Sequence, residues 1–252
     1  MRRQPTRRFG ATRMRYRLAM SSVPTRPPIE IETAPNPVAT VILMHGLGAD
    51  GNDFVSIVDE LDLSAVGPVR FVFPNAPIIP VTINGGYAMP AWYDIAVADL
   101  GAREDEAGLR RSRVAIEALI ANEKSRGIPA DHIVIAGFSQ GCAMALLIGL
   151  RHGERLAGIV GLSGYLPIAS TTAAERHPAN HDTPVFMGHG TRDGVVPVAR
   201  AIDSRNALTA MGYEVEWHGY PMEHSVCIEE IADLNAFLLR VLQARENTGN
   251  VA

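Results

Sequence analysis

The chain has 252 residues, of which 47% are hydrophobic and 20% charged, with 23 glycines and 17 prolines. That balance excludes an intrinsically disordered chain, a collagen-like repeat and a coiled coil, and a single core of this size buries roughly 70–75% of its unfolded surface without help from disulfides or metal. The formal net charge of −4 averages two unlike pieces: Arg2, Arg3, Arg7, Arg8, Arg13, Arg15 and Arg17 precede the first acidic residue, Glu30, and removing those seven charges takes the remainder to −11.

Residues 1–20 are read as an Arg-rich, disordered extension and 21–252 as one folded domain. Arginine recurs up to Arg17 and only Leu18, Ala19 and Met20 precede two serines, so the uninterrupted apolar run of an export signal is missing. Composition fits a transit peptide and, loosely, a basic arm for nucleic acid or an anionic membrane. The reading adopted is plainer: translation starts at Met14 or Met20, or the segment is a tail without a role.

Further along, strand-like runs at 29–33, 39–44, 69–73, 132–136, 158–162, 184–187 and 213–217 alternate with helical patterns, which implies crossover connections and a mostly parallel sheet with helices on both faces. Val41 to Met44 and Ile133 to Ala136 are continuously apolar, as expected of central strands covered on both sides. Residues 213–217 alternate, which places that strand near an edge. Helices are predicted over 104–126, over 139–152, which is apolar almost all round and therefore buried, and at the C-terminus, where Ile228, Ile231, Leu234, Leu238 and Val241 recur at helical spacing. Residues 74–94, with four prolines and Gly85-Gly86, show no regular pattern and are read as a binding loop or lid.

Two cysteines, Cys142 and Cys227, form neither a disulfide framework nor a metal motif. His177 and His181 are separated by Pro178 and are read as loop rather than as ligands. No apolar stretch reaches the roughly 20 residues of a membrane span. These features predict a cytoplasmic protein with no metal and no cofactor.

The chemistry sits at Gly137-Phe138-Ser139-Gln140-Gly141, a G-x-S-x-G between a buried strand and an apolar helix. The tight strand-to-helix turn lifts the serine hydroxyl above the sheet, and glycines two positions either side relieve collision across the turn. A serine hydroxyl is a poor nucleophile until a base takes its proton and a third group orients the base. In the fold that uses this elbow the acid and the histidine follow in that order. Asp193, after strand 184–187, is the candidate acid. His224, after a proline-containing loop and before the last helix, is the candidate base, while His189 and His218 are read as structural. Oxyanion donors are expected at the backbone N–H of Gln140 and of Leu47, the latter in the glycine-rich loop after strand 39–44. That loop lacks the spacing of a phosphate cradle.

His45-Gly46-Leu47-Gly48-Ala49-Asp50-Gly51, the stretch Pro80 to Gly86 with Ala91-Trp92-Tyr93-Asp94, Gly-Phe-Ser-Gln-Gly at 137–141 and Met222-Glu223-His224-Ser225 resemble the bacterial carboxylesterase/phospholipase and acyl-protein thioesterase family of α/β-hydrolases, over about residues 39–242. The resemblance implies Ser139, Asp193 and His224 as the triad, Leu47 and Gln140 as oxyanion donors, and 74–94 as the acyl-binding loop. Ile79, Ile83, Trp92 and Val196 are the candidate substrate-binding residues. Cys142 stands where a small residue is usual in that family and is read as packing.

The expected activity is serine carboxylesterase action on a small-molecule or lipid-like acyl ester, with acyl-protein thioesterase or lysophospholipase as the alternative. A dienelactone-hydrolase type of enzyme would carry cysteine at position 139, and a binding protein on a hydrolase scaffold would not need the triad. No nucleic-acid partner is expected of the acidic body, and a homodimer is left open.

Overall fold

A computed structural model describes residues 26–97 and 104–243; the arginine-rich extension foreseen over 1–20 lies outside them. In chain order the strands are β1 (Ile29–Glu32), β2 (Ala39–Met44), β3 (Val69–Phe73), β4 (Ile78–Val81), β5 (Tyr87–Pro90), β6 (Ile133–Phe138), β7 (Gly158–Leu162), β8 (Val185–Gly190) and β9 (Val215–Tyr220). The helices are α1 (Ile57–Glu60), α2 (Glu106–Ser125), α3 (Gln140–Gly149), α4 (Ala169–Glu175), α5 (Val198–Ala210) and α6 (Ile228–Gln243).

Seven strands form one sheet in the order β1-β3-β2-β6-β7-β8-β9. Every neighbouring pair is parallel except β1 with β3. The fold is thus the α/β-hydrolase arrangement that the alternation of elements predicts. β2 and β6 lie at the middle, and every residue of β2 is buried. At the two edges the pattern changes: β1 alternates half-buried isoleucine with exposed glutamate, and β9 is only partly covered until Tyr220.

Alternate residues of β6 divide the core. Ile133 and Ile135 pack with Leu109, Ile116 and Ile120 of α2 and with Met144 and Leu147 of α3. Val134 and Ala136 point the other way, to Leu234, Phe237 and Leu238 of α6 and to Ile57 of α1. All ten residues of α3 are buried, as its uniformly apolar sequence requires. Among the described residues no helix is long and apolar enough to cross a membrane.

Three expectations need correction. Residues 74–94 are not without structure: β4 and β5 pair antiparallel, Ile78 with Pro90 through Val81 with Tyr87, around a short 3-10 turn at Thr82–Asn84. Gly85 and Gly86 take left-handed φ of 67° and 78° to complete that turn, and Asp94 ties its base by accepting from both the N–H and the hydroxyl of Thr82. Prolines 80 and 90 are tolerated because a two-stranded ribbon leaves alternate N–H groups unpaired. Secondly, β8 and β9 run on to Gly190 and Tyr220, past the predicted ends at 187 and 217. Thirdly, α1, α4 and α5 are additional to the three predicted helices.

Candidate active site

Ser139 occupies the junction of β6 and α3 with φ 56° and ψ −116°, a left-handed φ that costs a non-glycine residue free energy and is held only by its surroundings. A Cβ on Gly137 would stand 2.1 Å from the Gly141 carbonyl oxygen, and one on Gly141 would stand 2.2 Å from the Met44 carbonyl oxygen. Both glycines are therefore steric requirements of the elbow. The Ser139 N–H donates to Leu162 O at 2.8 Å, which anchors the turn to β7.

From the elbow a continuous hydrogen-bond chain runs through three residues 85 and 31 positions apart in sequence. His224 Nε2 lies 2.9 Å from Ser139 Oγ, and His224 Nδ1 lies 2.7 Å from Asp193 Oδ2. A carboxylate can only accept, so Nδ1 carries the proton and Nε2 is free to accept from the serine. The imidazole is braced by Phe138, whose ring centroid is 4.8 Å away and which in turn packs on Phe54.

The buried Asp193 carboxylate is held from both oxygens. Oδ1 accepts from the backbone N–H of Val195 at 2.8 Å and of Val196 at 2.9 Å, leaving Oδ2 for His224. His189 closes the loop from below: its Nε2–H donates to Val196 O at 2.9 Å and stands 3.4 Å from Asp193 Oδ2. Burial pushes the His189 pKa down, as suits a neutral packing residue. His218 lies on β9 between the carboxylates of Glu216 and Asp233 and stacked against Phe186.

The two segments expected to supply oxyanion donors both adjoin the serine. Gln140 is the first residue of α3, where no intrahelical acceptor exists and the helix dipole is positive. On the other side a Cβ on Gly46 would sit 3.3 Å from Ser139 Cβ, so the backbone just before Leu47 lies against the serine. Among the described residues the Leu47 N–H meets no acceptor.

The four candidate substrate residues separate by environment. Ile83 lies 42% exposed at the hairpin tip, and Ile79 is half-buried opposite Met89. The hairpin reaches the oxyanion loop directly, because Gly48 N–H donates to Pro90 O at 2.8 Å and Met89 Sδ lies beside Gly48. Trp92 is in the core, 2% exposed, with its indole N–H on His45 O. Val196 is buried, and its backbone N–H and carbonyl serve Asp193 and His189. Both cysteines are free. Cys142 is buried between Gly161 and Gly164 and its thiol pKa is pushed far up by burial, so it is a packing residue.

Sequence reasoning missed the Gln140 side chain, whose Oε1 accepts from Trp92 N–H and whose Nε2 donates to Tyr93 O. A glutamine directly after Ser139, at the head of an otherwise apolar helix, is the signal that points to it.

A family model described as Phospholipase/Carboxylesterase matches residues 29–242. Acyl-protein thioesterase 1 of Neurospora crassa is 43% identical over 87% of this chain and 93% of its own length. Acyl-protein thioesterase 1 of Yarrowia lipolytica is 40% identical over 84% of this chain and 96% of its own. Both are fungal, so the bacterial label in the expected family name draws no support from them. Among solved structures, Zea mays acyl-protein thioesterase 2 superposes with a TM-score of 0.73 at 29% identity, covering 85% of this chain and 99% of that one. Arabidopsis thaliana SOBER1 gives 0.77 at 28%, covering 81% and 99%. With a family match across 29–242 and relatives at 40% and 43% identity over most of both chains, the chain belongs to the phospholipase/carboxylesterase family of α/β-hydrolases.

Proposed function

We propose that this chain is a serine hydrolase that cleaves carboxylic acyl esters, with Ser139 as nucleophile, His224 as general base and acid, and Asp193 as the group that orients the imidazole. The observation that carries the reading is the unbroken chain from Asp193 Oδ2 through His224 to Ser139 Oγ, at 2.7 and 2.9 Å, on a strained elbow.

The hydroxyl attacks the acyl carbonyl as His224 Nε2 takes its proton, and Asp193 stabilises the imidazolium that forms. The tetrahedral oxyanion sits between the Leu47 and Gln140 N–H groups, each worth about 3–4 kcal/mol of transition-state stabilisation. His224 then returns the proton to the departing alcohol as its bond to the acyl carbon breaks. Water repeats the sequence on the acyl-enzyme, releasing the acid and restoring the Ser139 hydroxyl. The apolar hairpin beside the oxyanion loop is where the acyl chain rests in this reading, with Ile79 and Ile83 on the hairpin and Trp92 and Val196 behind the site.

A second reading, cleavage of S-acyl groups from proteins, is favoured by the names of the relatives, acyl-protein thioesterases at 40% and 43% identity. The same residues serve, and a thiolate leaves with less need of proton donation. Residence in the cytoplasm belongs to the same proposal and rests on two unpaired cysteines.

Hydrolysis of nitrophenyl esters with fluorophosphonate labelling at Ser139 tests the first reading. Full activity in Ser139→Ala sinks it. Rates on an S-acylated peptide and its matched oxygen ester separate the second: a kcat/KM at least tenfold higher on the thioester supports protein deacylation, and equal or lower values overturn it.

A further inference from the structure

His45 immediately precedes the Gly46–Leu47 peptide and is 2% exposed. Both of its ring nitrogens face partners of fixed polarity. Nδ1 lies 2.7 Å from Gly46 O, which can only accept, and Nε2 lies 3.1 Å from Ala76 N, whose N–H can only donate. The ring is therefore neutral with its proton on Nδ1. An imidazolium would set a second N–H against that of Ala76. Burial lowers the His45 pKa, against the hydrogen bond it donates to Gly46 O and the more distant charges of Asp53 and Asp50.

The Gly46 carbonyl and the Leu47 N–H belong to one planar trans peptide and point in opposite directions. A side chain that fixes the carbonyl fixes the N–H. The peptide before it is fixed as well, since Trp92 Nε1–H donates to His45 O at 2.9 Å and the Trp92 ring lies 5.1 Å from the imidazole, tilted by 38°. Gly46 supplies no side chain to hold the loop, and the other donor to its carbonyl, the Ala49 N–H, stands at 3.3 Å against 2.7 Å for His45 Nδ1.

We infer that His45 is a positioning residue of the oxyanion site: by donating from Nδ1 to the Gly46 carbonyl it aims the Leu47 N–H at the developing oxyanion. The inference rests on the reading of Ser139 as nucleophile, and it adds a residue that touches no reacting atom.

Three substitutions separate positioning from packing. The amide nitrogen of His45→Asn stands near the place of Nδ1 and can donate to Gly46 O. The longer His45→Gln reaches the place of Nε2, where it accepts from Ala76 N–H and offers Gly46 nothing. His45→Leu removes both bonds. The expected result is a 10²–10³-fold fall in kcat for the Leu and Gln variants with KM within about twofold, the loss typical of one oxyanion donor. His45→Asn recovers at least tenfold of it, and affinity for a boronic-acid transition-state analogue falls in parallel with kcat across the series. A packing role would instead rank activity by thermal midpoint. His45→Gln as active as His45→Asn, or His45→Gln or His45→Leu at the native rate, overturns the inference.

Nitrogen NMR of the native enzyme keeps the question open to test where a variant does not fold. The His45 ring is expected as the Nδ1–H neutral tautomer throughout pH 5.5–8, and an Nε2–H tautomer or a titration in that range overturns the proposal. If Ser139→Ala still hydrolyses esters, the underlying reading has failed; if Ser139→Ala is inactive while His45→Gln keeps native turnover, only the positioning role has.

Discussion

Gln140 spends its whole side chain on the backbone of Trp92 and the residue after it: Oε1 accepts from Trp92 N–H at 2.7 Å and Nε2 donates to Tyr93 O at 2.7 Å. Trp92 in turn donates from its indole to His45 O. One aromatic residue thus ties the residue after Ser139 to the loop that carries Leu47. Gln140→Leu orphans a buried N–H and a buried carbonyl, at roughly 1–3 kcal/mol each. Thermal unfolding should show a midpoint lowered by several degrees, and turnover should fall further than KM rises. An unchanged midpoint would mean that the brace contributes nothing.

Asp193 faces three N–H donors, two from backbone and one from His224. Asp193→Asn preserves the shape but places an NH2 group either against the His224 Nδ1–H or against the two backbone N–H groups. The imidazole is then driven to the tautomer with its proton on Nε2, which cannot accept from Ser139. By the behaviour of a serine protease with the same change, kcat should fall by about 10⁴-fold with the fold intact. Steady-state rates beside a circular dichroism spectrum check this; a loss under tenfold would remove Asp193 from the mechanism.

What the sequence foretold follows from how strongly each segment declares itself. β2, β6 and α3 carry unbroken apolar runs, and the elbow between them needs glycines at fixed offsets, so strand, turn and helix were all legible around Ser139. α5 was not. Its described buried positions are Ala201, Ser204 and Leu208, of which only Leu208 is large and apolar, so no apolar stripe marks the helix. The β4–β5 hairpin hid behind Pro80, Pro90 and two glycines. The ends of β8 were misplaced for a steric reason: Gly188 and Gly190 read as turn residues, yet a Cβ on Gly188 would meet Glu230 Oε1 at 2.1 Å and one on Gly190 would meet Glu223 O at 2.3 Å. Their role is close packing beneath the His224 loop, a tertiary contact that local pattern does not encode.

Glu230 is fully buried in the first turn of α6, and among the described residues neither carboxyl oxygen has a hydrogen-bond partner. Burial, reinforced by Asp233, pushes its pKa up to about 8. The folded protein therefore holds a proton that the unfolded chain releases near the ordinary glutamate value. For this group the stability is fully present below about pH 4.3 and declines as pH rises through 8. Glu230→Gln removes the titration. Its thermal midpoint should come nearest to that of the native protein at pH 4 and exceed it by a growing margin up to pH 8, with about 2–4 °C expected for each kcal/mol in a domain of this size. Parallel curves for the two proteins between pH 5 and 8 would show that the carboxyl does not titrate in that window.

The seven arginines before residue 20 carry a charge opposite to that of the body, which without them stands at −11. Every residue placed in the proposed mechanism lies at or beyond position 45, and the domain's matched family region begins at 29. Deleting residues 1–19 should therefore leave kcat/KM on nitrophenyl esters within about twofold. The acidic remainder repels polyanions, so any salt-sensitive binding of the full chain to nucleic acid or to anionic vesicles should vanish with the deletion, since such binding scales with the cationic contacts made. A large loss of turnover in the truncated protein would mean that the basic segment takes part in catalysis or in holding the catalytic domain together.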